Sequence, residues 1–436
     1  MISLFGTDGI RGLVGTHPFT LQDLPNLGAA IGKWIQEKYG QNALVILSYD
    51  TRISCHWIKS ALQAGLLLYA LEIIDIGIMP TPALSHFMQQ NNNYSCGIMI
   101  SASHNLYQDN GIKIIESSGK ISASDELLIS TYYHQKSIVD SSDFGTICYS
   151  TTAQEEYCTL IAQHFKPHFL DGKKIVLDVA FGATYQVAPI LFNHFGAEVI
   201  LLHDTPNGYN INQNCGALHP KLLQEAVMQH KATIGFAFDG DGDRVIAVNA
   251  QGDIKNGDDI LALLSSHAHY NTSDIVGTLM SNQGFEVYLN NKGKKLLRTA
   301  VGDKYVADGL KQHRLLLGGE QSGHIILGDI VNTGDGILVA LKLLQTIITQ
   351  NNWNLETFTA YPQVLVNVPI KIKTDLLQEP YANFIRQSEK KLSSGRIVVR
   401  YSGTELLLRV MVEDETLEQA ENIAYELANL LQKFLT

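Results

Sequence analysis

Several stretches of this sequence hold residue types that chemistry needs, and the densest is Asp239-Gly240-Asp241-Gly242-Asp243-Arg244. It packs three carboxylates into five residues, with glycines between them. Held about 4 Å apart, each pair would repel by about 4 kcal/mol at an effective dielectric of about 20. Something positive has to offset that, and hard divalent cations prefer carboxylate oxygens. An EF-hand loop fails here, because Arg244 stands where its glycine belongs and Ala250 where its closing glutamate belongs. A solvated acidic turn is the bland alternative, but glycine-interleaved aspartates directly after the apolar run Ile234–Phe238 are costly unless they bind something. Mg²⁺ with open positions for phosphate oxygens is the preferred reading.

Three other loops follow apolar runs in the same way. Ile98-Met99-Ile100 runs into Ser101-Ala102-Ser103-His104-Asn105. That reads as a buried strand delivering Ser103 to a loop at its C-terminal end, where open α/β sheets place their chemistry. Alone it also reads as a Ser/Asn turn closing a strand. Leu315 to Leu317 leads into Gly318-Gly319-Glu320-Gln321-Ser322-Gly323-His324, a carboxylate, a hydroxyl and an imidazole suited to sugar hydroxyls. Arg400-Tyr401-Ser402-Gly403-Thr404-Glu405 sets an arginine fork beside two hydroxyls and a glycine, an anion nest suited to phosphate, with Arg409 as a second cation. An ordinary turn is the alternative for each. Gly6-Thr7-Asp8-Gly9-Ile10-Arg11-Gly12 is a further glycine-rich turn carrying an arginine. No G-x-G-x-x-G and no G-x-x-x-x-G-K-[ST] occurs, so the usual nucleotide fingerprints are missing.

The elements that must position these loops alternate in type. Leu24, Leu27, Ile31, Trp34 and Ile35 recur at helical spacing, Ala43 to Leu47 is a short apolar run, Trp57 to Tyr69 is helical, and Glu72 to Ile76 reads as a strand. Short links between them argue for a mostly parallel sheet covered by helices. Ser137 to Thr152 is polar and reads as a linker. The pattern restarts after it, and again near Asp253. Past Pro362 the style changes, and two strands joined by Ser402–Glu405 suggest an antiparallel pair. The expected architecture is α/β: three similar mixed-sheet α/β domains (1–150, 151–252, 253–363), followed by a smaller α+β domain (364–436), arranged around a central cleft.

A chain of 436 residues is too long for one core. With 45% hydrophobic and 17% charged residues it is globular, and its net charge of −11 argues against nucleic acid as a main partner. A local positive pocket for a small phosphorylated ligand is still compatible with that charge. Five scattered cysteines with no C-x-x-C pair fit a reducing cytoplasm better than a disulfide framework. No signal peptide and no apolar run of transmembrane length is found, so no membrane partner is expected.

Taken together and in order, the four loops resemble the α-D-phosphohexomutase superfamily over nearly the whole chain. Within it, Phe5–Gly12, Asn210-Ile211-Asn212 with Cys215-Gly216 and His219-Pro220, Gln321, and Ser402–Glu405 are most similar to the bacterial phosphoglucosamine mutases. The resemblance implies four domains with one motif each. It implies that Ser103 carries a phosphoryl group, and that Mg²⁺ is held by Asp239, Asp241, Asp243 and a phosphate oxygen on Ser103. Glu320 and Ser322 would grip sugar hydroxyls. Arg400, Ser402, Gly403, Thr404 and Arg409 would hold the non-reacting phosphate, with hinge motion of the fourth domain as a further expectation. Arg11, His104, Lys113, Arg244 and His324 would surround the reacting phosphate.

The implied activity interconverts glucosamine 6-phosphate and glucosamine 1-phosphate through a 1,6-bisphosphate, feeding UDP-N-acetylglucosamine synthesis. The implied partners are sugar phosphates, a kinase or sugar bisphosphate that primes Ser103, and at most a second copy of the chain in a homodimer. The alternatives are a mutase preferring mannose or glucose phosphates, and a catalytically silent sugar-phosphate sensor. The second sits poorly with the retained Ser103 and aspartates. Three residues depart from the family pattern: Leu106 and Leu406 where proline is common, and Phe181 where asparagine is usual.

Overall fold

The computed structural model describes residues 4–6, 8–136, 143–271, 273–402 and 406–435. Its first sheet has seven strands. At its centre Leu44–Tyr49 lies parallel to Glu72–Ile78 and to Tyr94–Ile100, the strand that leads to Ser103. Asp109–Glu116 then turns back antiparallel beside Tyr94–Ile100, and Ile10–Leu13 lies antiparallel on its other side. Side chains alternate along each strand, so one sheet feeds two cores. Val45, Leu47, Ile98 and Ile100 pack with Leu27, Ile31 and Trp34 of helix Asp23–Tyr39. Ile46 and Met99 point the other way, with Ala83, Leu84 and Phe87 of helix Thr81–Gln90.

The second apolar face does not end with the first domain. It continues through Phe236 and Phe238 of the second sheet into Ile337–Leu341 of helix Gly336–Gln350. That helix is apolar nearly all round because it lies inside this shared core. The second sheet has five strands in the order Ile254–Lys255, Val245–Asn249, Ile234–Phe238, Lys174–Asp178, Glu198–Leu202. Ile234–Phe238 and Val245–Asn249 pair antiparallel from Phe238↔Val245, so the acidic run is the turn of a hairpin. The third sheet has four strands, and Leu317–Gly319 ends in the Glu320 loop. The last domain is a three-stranded antiparallel sheet, Gln363–Pro369, Leu407–Glu413 and Arg396–Tyr401, with a hydrophobic cluster of its own.

One expectation needs correcting. Within the polar stretch 137–152, Thr146–Tyr149 is an edge strand, parallel to Glu72–Ile78. Thr146, Ile147 and Tyr149 favour a pleated surface, and the serines and aspartates around them masked that signal. Residues 137–142 lie outside the described residues. The restarts also differ in size, with sheets of seven, five and four strands.

A small polar clamp sets the fourth domain on the third. The Asn282 side chain accepts from Tyr361 N at 2.9 Å and donates to Tyr361 O at 3.0 Å, fixing the connecting segment. Arg396 of the fourth domain donates to Leu279 O and Ser281 O at 2.7 and 2.6 Å. Beneath this loop Asn282 N donates to Asp258 Oδ2 at 2.8 Å, while Asp258 Oδ1 is buried without a hydrogen-bond partner. Burial pushes the Asp258 carboxyl up to about 7. In the unfolded chain it ionises near about 3.9. Between those values the folded protein keeps a proton that the unfolded chain has lost, so stability falls as pH rises through this window, by at most about 1.4 kcal/mol per unit from this group. Asp258→Asn removes the titration. The difference in urea midpoint between pH 5 and pH 8 should shrink in the variant; an unchanged difference would show that Asp258 is not the group responsible.

Candidate active site

Ser103 stands just past strand Tyr94–Ile100 and is 1% exposed. Its φ is +52°, a left-handed conformation uncommon for a residue with a Cβ. Local hydrogen bonds hold it there. Asp50 accepts from Ser101 Oγ at 2.6 Å, and Ser101 Oγ accepts from Ser103 N at 2.9 Å. The Ser103 hydroxyl donates to Asp239 Oδ2 at 2.7 Å and lies 3.4 Å from His104 Nδ1. The serine loop of the first domain and the acidic turn of the second therefore meet at this hydroxyl.

Asp239, Asp241 and Asp243 are all buried, and one oxygen from each lies within 4.8 Å of the others. Burial, with Asp243 and Asp241 beside it, pushes the Asp239 carboxyl well up. Burial would raise Asp241 too, but Lys113 at 2.9 Å and the Thr81 hydroxyl at 2.5 Å override it and hold that carboxyl below the usual range. Lys113 Nζ also lies 3.1 Å from Asp8 and 3.4 Å from Asp243. These three carboxylates outweigh its burial and keep it charged. Asp241 Oδ1 and Asp243 Oδ1 are buried with no hydrogen-bond partner. Clustered, dehydrated carboxylate oxygens with unused lone pairs are the donor set of a hard divalent cation, and Mg²⁺ fits them. The turn is locked from three sides. Thr81 N donates to Asp241 O at 2.9 Å, Gly336 N to Gly242 O at 3.0 Å, and Val245 N to Gly323 O at 3.1 Å.

In front of this wall lies a cleft of about 580 Å³. Arg11, His104 and Arg244 line one side, and Glu320, Ser322 and His324 of the third domain another. Arg400, Ser402 and Arg409 of the fourth domain close it. Burial, with Arg244 and Arg11 nearby, lowers His104 to about 4, so its ring is neutral near pH 7. His324 is buried with neither ring nitrogen hydrogen-bonded, 3.8 Å from Asp303. Glu320 accepts from Gly302 N at 3.0 Å. Arg400 and Arg409 face each other on neighbouring strands, and like charges directly opposite are unfavourable unless an anion lies between them. Gly403 and Thr404 lie outside the described residues. Lys113 is not at the cleft surface: it is 3% exposed, behind the carboxylates.

Several residues that shape this centre carried no weight in the sequence reading. Asp8 pairs with Arg11 at 2.8 Å and with Lys113, and Lys120 bridges Asp8 to Asp303 of the third domain. Thr81 holds Asp241. Buried Arg52 stands behind the serine loop. Two of them lay in sequence signals, Asp8 in the glycine-rich Gly6–Gly12 turn and Arg52 in a charged Asp50-Thr51-Arg52 closing an apolar run. Asp178, His203 and Cys215 form another close group, but it is turned inward. Asp178 accepts from Ala180 N, Gly216 N and His203 Nδ1, each at 2.9 Å, and so braces two turns of the second domain. Phe181 packs against His203 with ring centroids 5.0 Å apart.

The arrangement has a buried hydroxyl at a carboxylate cluster, a basic wall, hydroxyl-binding groups, and an arginine pair across one cleft. Such a set can move a phosphoryl group on and off a serine while holding a second phosphate. Comparison with known proteins agrees in every domain. The phosphoglucomutase/phosphomannomutase alpha/beta/alpha domains I, II and III match residues 3–138, 155–252 and 256–363, and the C-terminal domain matches 365–430. Phosphoglucosamine mutase of Acinetobacter baumannii is 41% identical, over 99% of both chains. That of Hydrogenovibrio crunogenus is 41% identical over 98% of both. A phosphoglucomutase/phosphomannomutase family protein from Burkholderia thailandensis has the same fold, with a TM-score of 0.82 at 21% identity over 99% and 98% of the two chains. Aspergillus fumigatus N-acetylphosphoglucosamine mutase, solved with GlcNAc-6P and magnesium, aligns at a TM-score of 0.69 and 17% identity, over 100% of this chain and 96% of that one. With a relative of this similarity over its full length and all four domains matched, the chain belongs to the phosphoglucomutase/phosphomannomutase family of phosphohexomutases, among its phosphoglucosamine mutases.

Proposed function

We propose that this protein interconverts glucosamine 6-phosphate and glucosamine 1-phosphate through a phosphoserine at Ser103 and a glucosamine 1,6-bisphosphate. It would act in the cytoplasm and feed UDP-N-acetylglucosamine synthesis. The observation that carries this reading is the Ser103 hydroxyl held 2.7 Å from Asp239 beside a cleft that ends in the Arg400–Arg409 pair. The choice of an amino sugar is supported by relatives at 41% identity that bear the name phosphoglucosamine mutase. The free cysteines fit a reducing compartment, and among the described residues no helix is long and apolar enough to cross a membrane.

Ser103 is charged once, by a kinase or from a sugar bisphosphate, and then carries about −1.5 to −2 at neutral pH. Arg11 and Arg244 face its phosphate. Asp239, Asp241 and Asp243 would hold Mg²⁺ beside that phosphate, and the ion would supply neutralisation of the equatorial charge. Lys113 fixes two of those carboxylates. Arg400, Ser402, Gly403, Thr404 and Arg409 hold the substrate's own phosphate, while Glu320 and Ser322 orient the ring hydroxyls. The 1-hydroxyl oxygen bonds to phosphorus as the bond to Ser103 Oγ breaks. His104, neutral and 3.4 Å from Oγ, takes the proton of the 1-hydroxyl and gives it to the departing Ser103 Oγ, with His324 on the facing wall. The bisphosphate reverses in the cleft, transfers its 6-phosphate to Ser103 and leaves as glucosamine 1-phosphate.

A coupled assay at equal concentrations should show glucosamine 6-phosphate turned over faster than mannose or glucose phosphates; a clear preference for mannose phosphate would overturn the substrate assignment. Ser103→Ala should lower kcat by roughly 10³-fold or more with an unchanged circular dichroism spectrum. Near-normal turnover would end the phosphoserine mechanism. Asp241→Asn should raise the Mg²⁺ concentration for half-maximal activity by about tenfold or more, and an unshifted titration would count against the metal assignment.

A further inference from the structure

Two side chains that line neither the cleft nor the carboxylate triad converge on the back of the Ser103 loop. Arg52 is fully buried, and all five of its N–H donors are used. Nε donates to Asp50 Oδ2 at 2.8 Å. Nη2 donates to the carbonyls of Ser103 and Asn105, both at 2.8 Å. Nη1 donates to those of Leu106 and Asp109. Asn212 reaches in from the second domain, and its Nδ2 donates to the same Ser103 and Asn105 carbonyls at 2.8 and 2.9 Å. A planar guanidinium and an amide from two domains thus grip one short loop through its backbone.

Two features show why the loop needs that grip. Ser103 is left-handed at φ +52°, and such a residue persists only where its surroundings over-determine it. The acidic turn also presses on the same junction. A Cβ added to Gly240 would sit 2.6 Å from both Ser103 O and Asn212 Nδ2. The Ser103 carbonyl is therefore the point where serine loop, acidic turn and Asn212 meet, and its position sets where the hydroxyl points relative to Asp239.

We propose that Arg52 and Asn212 are positioning residues for phosphoryl transfer, holding the Ser103 backbone so that its side-chain oxygen stays in line with the carboxylate cluster. Their loss should slow the chemical step and leave sugar-phosphate binding alone, because neither lines the cleft. This inference rests on the phosphoserine role of Ser103, and the experiment separates the two.

The test uses the full chain, first charged on Ser103 with a sugar bisphosphate and scored for phosphate by intact mass. Transfer is then followed in single turnover and in steady state, on whichever hexose phosphate the unaltered protein uses fastest. Asn212 is itself left-handed at φ +58°, so Asn212→Gly keeps the backbone and removes only the amide. It should lower kcat and the single-turnover rate together by on the order of tenfold, with KM within about twofold and the melting temperature retained. Arg52→Lys keeps the charge and loses the fork, and should lower kcat by on the order of a hundredfold. If Arg52→Lys does not fold, Asn212→Gly decides alone. Transfer at the unaltered rate in Asn212→Gly, or a KM that rises as much as kcat falls, overturns the proposal. An unaltered protein that cannot be charged on Ser103 overturns the phosphoserine reading instead.

Discussion

The structure depends on how it tolerates four carboxylates around one buried point. Asp8, Asp239, Asp241 and Asp243 converge where the first two domains meet, and Lys113 is the one buried lysine set among them. One ammonium cannot balance that charge at low dielectric. The rest of the centre follows from the deficit: Arg11 and Arg244 stand at its edge, two aspartate oxygens are left for a cation, and the backbone of three domains is recruited to fix the turn. Arg52 does the same for the serine loop, where its five donors replace water for four carbonyls and a carboxylate.

Core packing divides the molecule differently from its sheets. The first three sheets share a continuous apolar cluster that runs from Ile46 to Leu355. The fourth domain has its own, and is tied to the third by polar contacts through Asn282 and Arg396. Polar contacts can be exchanged for water at small net cost, whereas an apolar core cannot be opened cheaply. A rigid wall facing a separately packed domain is an arrangement that permits closure over a ligand without remaking the chemical centre.

What was legible in the sequence is what local chemistry records. Each of the four loops ends an apolar strand, so residue type and strand pattern together pointed to Ser103, the three aspartates, Glu320 and Arg400, which the fold brings around one cleft. The illegible part is long-range and made through backbone. Nothing in Asp50-Thr51-Arg52 says that the guanidinium will donate to carbonyls more than fifty residues away. Lys120 and Asp303 meet only because two domains do. Strand Thr146–Tyr149 was hidden by its polar neighbours. The family resemblance puts Lys113 among the cations around the reacting phosphate, and the fold surrounds its ammonium with Asp8, Asp241 and Asp243. The Leu106 departure is also intelligible: its carbonyl is held by Arg52, so the loop has a restraint that does not depend on a proline ring.

The facing arginines of the fourth domain carry one more implication. Arg400 sits across from Arg409 by strand register, and burial together with that second charge lowers its affinity for its own proton. Two like charges set opposite each other would be eased by an anion between them, and a phosphate monoester would serve whichever carbon bears it. Under the proposed function the domain would respond to the anion and be indifferent to the sugar's direction. An intermediate with a phosphate at each end would present the same handle after a half-turn, so one recognition element would serve both halves of a reversible reaction.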